Sequence, residues 1–199
     1  MNKSCLICGV GGQGVVLASR LIACAAMNNH LFARTAETIG MAQRGGSVVS
    51  HVRFGHDIHS PLIPFGGADL ILALEPAEAV RVLHYLKDAG TVVVSQKAIR
   101  PVTATLSGSY AGEEMLDYLK NHVESLFILD TDAICAAAGS HKSANIALLG
   151  AAAQSGALGL SLEQVEAAIH TLTHNKFFET NQKALRLGAE FVINGRIKR

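Results

Sequence analysis

The sequence predicts an α/β fold: a Rossmann-like, doubly wound, mostly parallel sheet with a β-hairpin and appended C-terminal helices. Three observations favour it. Short apolar runs typical of buried strands alternate with helical segments over the first two thirds of the chain. Residues 47–54 alternate apolar and polar positions, as a half-buried strand does. The last third reads as helices, and because no linker or repeat divides the chain, we expect a single domain over residues 1–199.

The first elements follow from apolar periodicity. We expect a strand at 5–8, a helix at 15–27, a second strand at 30–34 and a third at 47–54. Gly55-His56-Asp57 is typical of a turn, so the third strand is predicted to continue as a hairpin through Ile58.

The middle of the chain predicts strands buried on both faces. Residues 69–73 form a continuous apolar run, which is typical of such a strand. Residues 90–95, with Thr-Val-Val-Val, predict another buried strand, and residues 126–129 predict a further strand. Pro76 is tolerated in the first turn of a helix, which is predicted to run to about Leu86. A second helix is predicted over 112–122.

The last third predicts four helices, at 130–138, 143–155, 161–173 and 180–193. Ser161 and Gln164 have the spacing of a capping box at the start of the third. Asp130 precedes the first of these helices, where its side chain is expected to cap the helix.

Composition excludes several classes of function. The chain has 199 residues, 49% of them apolar, and a net charge of +1, so neither nucleic acid nor a membrane surface is implied as a partner. No run approaches the ~18 apolar residues of a membrane span. The apolar N-terminus imitates an export signal, but Gly11-Gly12-Gln13-Gly14 and Arg20 interrupt it, so we expect a cytoplasmic protein.

The four cysteines predict neither disulfides nor a metal site. Cys5 and Cys8 form a C-x-x-C inside a strand, where positions three apart point to opposite faces. Cys24 and Cys135 lie in alanine-rich helical patterns typical of a core. The histidine pairs, 56 with 59 and 170 with 174, lack the carboxylates of a metal site. We therefore expect no metal on this chain.

A glycine-rich turn joins the first strand to the first helix: Gly9, Gly11, Gly12, Gln13 and Gly14. Its G-x-G-x-x-G spacing lets a backbone approach a pyrophosphate at a helix N-terminus. NAD binding would also need an acid after the second strand, and the nearest is Glu37, slightly late; Arg34 could serve NADP instead. The alternatives are a tight turn that packs helix on sheet, or one that holds another ligand or a partner.

A second motif, Gln43-Arg44-Gly45-Gly46, follows the second strand. A lone buried Arg is costly, and the paired glycines indicate unusual backbone angles or the close approach of another chain. The Arg44 guanidinium could grip a carboxylate or a phosphate; plain solvent exposure is the alternative.

At these residues the chain resembles the gamma-domain family of 2-oxoacid:ferredoxin oxidoreductases, and most of all the small beta subunits of its indolepyruvate enzymes. The resemblance covers nearly the whole chain. It rests on the glycine turn 9–14, on 35–55 with its Gln-Arg-Gly-Gly block, on Gly-Gly-Ala-Asp at 66–69 followed by 73–78, on 145–150 and on Asn181, Ala184 and Gly188.

The resemblance implies oxidative decarboxylation of a 2-oxoacid, such as an arylpyruvate, to an acyl-coenzyme A with reduction of ferredoxin. A large alpha subunit would carry thiamine diphosphate, magnesium and 4Fe-4S clusters, and this chain would hold no cofactor and no catalytic residue. We expect the turn 9–14, Glu37, Gln43, Arg44, Gly45, Gly46 and Asn145 to contact coenzyme A or the partner, with Arg44 as a charged grip and Gln13 as an orienting amide. The turn and the Gln-Arg-Gly-Gly block should lie at the carboxyl edge of the sheet.

Overall fold

The computed structural model describes residues 2–38, 46–99 and 112–194. Six strands form one sheet in the order β2-β3-β1-β4-β5-β6. Their bounds are β1 Asn2–Val10, β2 Phe32–Glu37, β3 Ser47–Gly55, β4 Ala68–Ala73, β5 Leu86–Ser95 and β6 Ser125–Leu129. The α-helices of the described residues are α1 Val15–Asn28, α2 Pro76–Arg81, α3 Gly112–His122, α4 Thr131–Ala138, α5 Ala144–Gln154, α6 Leu162–Leu172 and α7 Phe178–Asn194.

The sheet is mostly parallel, which confirms the predicted fold class. Strands β1, β4, β5 and β6 pair in parallel, whereas β3 is antiparallel to both β1 and β2. The hairpin strand β3 thus lies between β1 and β2, two strands that in a simple Rossmann unit would pair directly. The carboxyl ends of β1 and β2 and the start of β3 consequently share one edge of the sheet.

The hairpin predicted to turn at Gly55-His56-Asp57 and continue through Ile58 is wrong; the hairpin of this sheet is formed by β2 and β3. Strand β3 pairs with β2, which precedes it, and residues 56–67 contain no strand. The segment after β3 is instead held by side chains: Arg34 Nε donates to the carbonyl of Ile58 at 2.8 Å and Arg53 Nη1 to that of Ser60 at 3.1 Å. Strand β3 has a neighbour on each side, so no third pairing is open to a returning strand.

The second correction concerns the helix that begins at Pro76. It was predicted to reach Leu86, but α2 ends at Arg81 and a short 3-10 helix, Leu83–Tyr85, follows. Leu86 already belongs to β5, where it pairs with Ala68. Pairing with β4 overrides the helical pattern here, because Leu86 joins the ladder of parallel hydrogen bonds to that strand. The other predicted elements agree within a few residues.

Two cores lie on opposite faces of the sheet. One packs α1 and the C-terminal helices against the sheet, and the other packs α2 and α3. Cys5 belongs to the first core and Cys8 to the second, which confirms that the C-x-x-C thiols point apart. All four cysteines are buried and unpaired, and burial raises the pKa of each thiol.

Helices α5 and α7 pack closely because glycine stands at their crossing. A Cβ added to Gly150 would overlap the carbonyl of Leu185, and one added to Gly188 would overlap that of Ala147. Both glycines lie in the segments that carry the family resemblance. Their close approach fixes α5, and therefore Asn145 in its first turn.

No helix in the described part of the chain is both long enough and apolar enough to cross a membrane.

Candidate functional site: the carboxyl edge of the sheet

The glycine turn connects β1 to α1 through left-handed backbone. Gly12 has φ +93° and Gly14 has φ +88°, conformations that glycine adopts without strain. Gly14 is the N-cap of α1 and offers no side chain to cap the helix. Within the described residues, no side chain caps the first-turn N–H groups of α1, the groups through which a helix N-terminus binds an anion.

Gln13 ties the turn to the sheet. Its Oε1 accepts from the backbone N–H of Val10 at 2.6 Å, and its Nε2 donates to the carbonyl of Leu74 at 2.8 Å. A Cβ on Gly9 would stand 2.8 Å from that Oε1. Glycine at position 9 thus makes room for the Gln13 amide, which spans the ends of β1 and β4. An additional contact of Gln13 with a ligand or partner stays a prediction.

Asn145 reaches the same turn from the first turn of α5. Its Nδ2 donates to the carbonyl of Gly14 at 3.2 Å, and its Oδ1 accepts from the N–H of Ile146 at 3.0 Å. The side chain is buried. The structure therefore brings together two predicted site residues that are 131 positions apart.

Gly46 lies beside the glycine turn. Its carbonyl accepts from the N–H of Gly11 at 2.9 Å, so the end of the second motif does reach the carboxyl edge. Gln43, Arg44 and Gly45 lie outside the described residues, and their contacts stay predictions.

Two acids of the segment 73–78, which carries part of the resemblance, support this edge in a way that the sequence did not predict. Ser47 Oγ donates to Glu78 Oε2 at 2.5 Å, and Arg81 pairs with the same carboxylate. Glu75 caps α2 by accepting from the N–H of Glu78 at 2.9 Å. Besides the resemblance, the sequence signal was an acid in the first turn of a helix after a strand. Glu78 holds Ser47 and so positions its neighbour Gly46, the last residue of the second motif.

In a dinucleotide site, the acid at the end of the second strand would lie beside the glycine turn. Glu37, at the end of β2, instead contacts α1. Its Oε1 accepts from Ser19 Oγ, inside α1, at 3.2 Å. Strand β3 separates β2 from β1. An acid that binds ribose stands at the end of the strand adjacent to β1, so this topology disfavours the NAD(P) alternative.

A cavity of about 470 Å³ opens over the turn. Its described lining residues are glycines and valines: Val10, Gly11, Gly12, Gly14, Val15, Val16 and Val48. None of these side chains can act as an acid, a base or a nucleophile. These described residues offer a ligand or partner backbone N–H groups and apolar contact.

The remaining motifs are structural. Asp130 Oδ1 accepts from the N–H of Ala133 at 2.9 Å, which confirms the predicted N-cap, and Ser161 and Gln164 form the predicted capping box. His59 pairs with Asp57 on the surface, and His170 packs edge-on against Phe178. Across residues 2–38, 46–99 and 112–194, no cluster of three or more His, Cys, Asp or Glu side chains could hold a metal ion.

The fold and the site geometry together define an α/β module with a glycine turn at the carboxyl ends of its strands, and the described residues that line the cavity above this turn carry no acid–base side chain. The family model "Pyruvate ferredoxin/flavodoxin oxidoreductase" matches residues 4–191. This chain belongs to the pyruvate ferredoxin/flavodoxin oxidoreductase family.

Curated relatives agree with this assignment. "Indolepyruvate oxidoreductase subunit IorB" of Archaeoglobus fulgidus is 38% identical over 98% of both chains. Its namesake in Thermococcus kodakarensis is 36% identical over 93% of both chains. The "Pyruvate/ketoisovalerate oxidoreductases common subunit gamma" of Pyrococcus furiosus is 28% identical over 89% of this chain and 90% of its own length.

Solved structures share the fold. The gamma subunit of a keto/oxoacid ferredoxin oxidoreductase from Geobacter sulfurreducens has a TM-score of 0.72 at 23% identity, covering 97% of this chain and 99% of its own. A 2-oxoglutarate:ferredoxin oxidoreductase from Magnetococcus marinus has a TM-score of 0.66 at 17% identity. This chain spans 31% of that longer polypeptide, which is described with coenzyme A bound.

Proposed function

We propose that this chain is the small subunit of a 2-oxoacid:ferredoxin oxidoreductase that acts on indolepyruvate or a related arylpyruvate. The observation that carries the proposal is 34–38% identity, over at least nine tenths of the chain, to four relatives named as indolepyruvate oxidoreductase subunits. The complex decarboxylates the 2-oxoacid, passes the acyl group to coenzyme A and delivers two electrons to ferredoxin.

The large alpha subunit carries the reactive groups in this proposal. Thiamine diphosphate, with its magnesium, supplies the decarboxylation chemistry when bound there, and 4Fe-4S clusters conduct the electrons. The residues of the small subunit bind and orient. The glycine turn supports that role, because it places the N-terminus of α1, which no described side chain caps, beside a cavity whose described lining consists of glycines and valines.

The proposal assigns Arg44 a binding role. Gly46, two residues later in the sequence, accepts a hydrogen bond from the N–H of Gly11 and so lies beside the glycine turn. We infer that the Arg44 guanidinium binds either the anionic end of coenzyme A or a carboxylate of the large subunit. To test this role, Arg44→Ala is compared with Arg20→Ala, which removes an exposed Arg from α1. A raised KM for coenzyme A or weaker assembly is expected only for Arg44→Ala; unchanged values for both would refute it.

The whole proposal is tested by affinity purification of the chain from its own cells under anaerobic conditions. We expect a large subunit to co-purify and the complex to reduce ferredoxin with arylpyruvates faster than with pyruvate. Turnover by the isolated chain would contradict the division of labour. If the large subunit alone turns over at full speed, a scaffold or regulatory role for this chain is favoured. If calorimetry shows that this chain binds NAD(H) or NADP(H) with micromolar affinity, the dinucleotide alternative is favoured.

A further inference from the structure

A second pocket lies beside the glycine turn and combines apolar walls with positive charge. It has a volume of about 280 Å³ and lies between the first turn of α1, the loop before α5 and the connection from α6 to α7. Leu17, Leu172 and Phe177 contribute its apolar surface. We call it the Phe177 pocket.

The apolar side chains of this pocket are unusually exposed. Leu17 is 36% exposed, Leu172 45% and Phe177 50%; Leu17 comes from α1, and the other two come from the end of α6 and the connection that follows it. Three large apolar side chains that converge on one concave surface mark a site that another molecule covers. Within the described residues, no other chain segment fills it.

The basic side chains in and beside the pocket indicate which kind of group it binds. Lys142 and His174 line the pocket, and Lys176 Nζ stands 4.8 Å from the centre of the Phe177 ring. No carboxylate is among the described lining residues. An apolar group that carries a negative charge beside it complements this surface.

The pocket, of about 280 Å³, has room for one large side chain. Protein interfaces commonly centre on one large anchor residue that fills a pocket of this kind.

The pocket is continuous with the edge already described. Leu17 stands in the first turn of α1, directly after the glycine turn, and Ser143, which lines the pocket, is the N-cap of α5. Asn145, in the same turn of α5, holds Gly14. One partner surface can therefore cover both the glycine turn and the pocket.

We propose that the Phe177 pocket receives an anchor side chain of the large subunit: an aromatic or leucine-like residue with a carboxylate next to it. This inference rests on the proposed function, because it requires that partner. It adds a site that the glycine turn and the Gln-Arg-Gly-Gly block do not include.

The test measures the Kd of purified large subunit for variants of this chain by anaerobic interferometry. Phe177→Ser and Leu172→Ser should each weaken assembly by about tenfold or more, as truncation of a hot spot does. The matched control is Phe32→Ser, which is 68% exposed at the start of β2, at the opposite edge of the sheet; it should leave Kd within about twofold, as substitution outside an interface does.

Charge is tested separately by Lys142→Glu, with Lys120→Glu on α3 as control. Only Lys142→Glu should weaken assembly, and the loss should shrink as salt is added. Because this variant removes no apolar surface, it remains informative if a serine variant melts at a lower temperature than the wild type.

Each contrary result has a separate meaning. If the wild type assembles and none of the three pocket variants weakens assembly more than its control does, the pocket inference is overturned and the proposed function stands. If the pocket variants assemble normally but alter the KM for the 2-oxoacid or coenzyme A, the pocket is a small-molecule site. If they lose self-association, the occupant is a second copy of this chain. Either result overturns the inference. Failure of the wild type to bind the large subunit overturns both proposals.

Discussion

The carboxamide of Asn145 and the carbonyl of Gly14 join the C-terminal helices to the glycine turn through one hydrogen bond of 3.2 Å. The contact is close: a Cβ on Gly14 would lie 2.5 Å from Asn145 Nδ2. The shape of the turn therefore depends on a helix that begins 130 residues later in the chain.

Removing the Asn145 amide should loosen this junction. Asn145→Ala removes one of the two donors to the carbonyl of Gly14, which keeps the N–H of Ala18 at 3.0 Å, so we expect a loss of about 0.5–1.5 kcal/mol in the free energy of unfolding. Urea denaturation measures it. Asn121→Ala, at an exposed position on α3, is the control and should cost nothing; equal losses would show that Asn145 does not hold the turn.

Gly14→Ala should destabilise the chain more than Gly12→Ala. Both positions have positive φ, which costs about 1–2 kcal/mol for alanine, but only Gly14 also meets another side chain. We expect a loss of about 3 kcal/mol or more at Gly14 once overpacking is included.

A double variant separates these two costs. Because the obstructing atom belongs to the Asn145 amide, Gly14→Ala with Asn145→Ala should cost less than the sum of the single changes. Strict additivity in urea denaturation would contradict the contact.

Gly188→Ala should be among the most damaging single changes on α7. The added methyl overlaps the carbonyl of Ala147, which cannot move without breaking α5, so we expect a loss of about 3 kcal/mol or more. Lys183→Ala, exposed on the same helix, is the control for thermal melting. A near-neutral Gly188→Ala would mean that the two helices do not cross this closely.

Stability should fall on acidification through His51. Its Nδ1 accepts from the N–H of Ile63 at 3.2 Å, which requires the neutral ring, and burial lowers the pKa of the imidazole from its usual 6.5. The native state therefore binds fewer protons than the unfolded chain below pH 6.5. The contribution of neutral His51 to the free energy of unfolding is complete above that pH. It declines below it, at most by about 1.4 kcal/mol per pH unit for one proton.

The measurement is the free energy of unfolding from pH 5 to 8, followed for the wild type and His51→Gln. The glutamine variant should show a smaller pH slope over the acidic range, whereas exposed His56→Gln should keep the wild-type slope. An unchanged slope in His51→Gln would assign the acid sensitivity to other groups.

Much of the fold was readable from local patterns. The apolar runs at 69–73 and 90–95 predicted buried strands, and Ser161 with Gln164 predicted a helix start, because periodicity and capping depend only on near neighbours. The two wrong boundaries, at Ile58 and Leu86, arose where a distant strand decided the outcome.

The candidate site was only partly readable. The glycine turn and Gly46 were identified from the sequence, and they meet at the carboxyl edge as expected. The roles of Glu78 and Arg81 were not predicted from the sequence. A charged pair three residues apart on a helix has the same sequence pattern whether it faces water or holds Ser47.

By itself, the sequence determined which segments are strands and helices, which turn is glycine-rich and to which family the motifs belong, because those properties reside in residue order and spacing. Tertiary structure alone decided that β3 separates β1 from β2, that Asn145 closes on Gly14 and that Leu17, Leu172 and Phe177 share one pocket. These contacts join residues far apart in the chain. Their free energy depends on how whole elements pack, which no local pattern encodes.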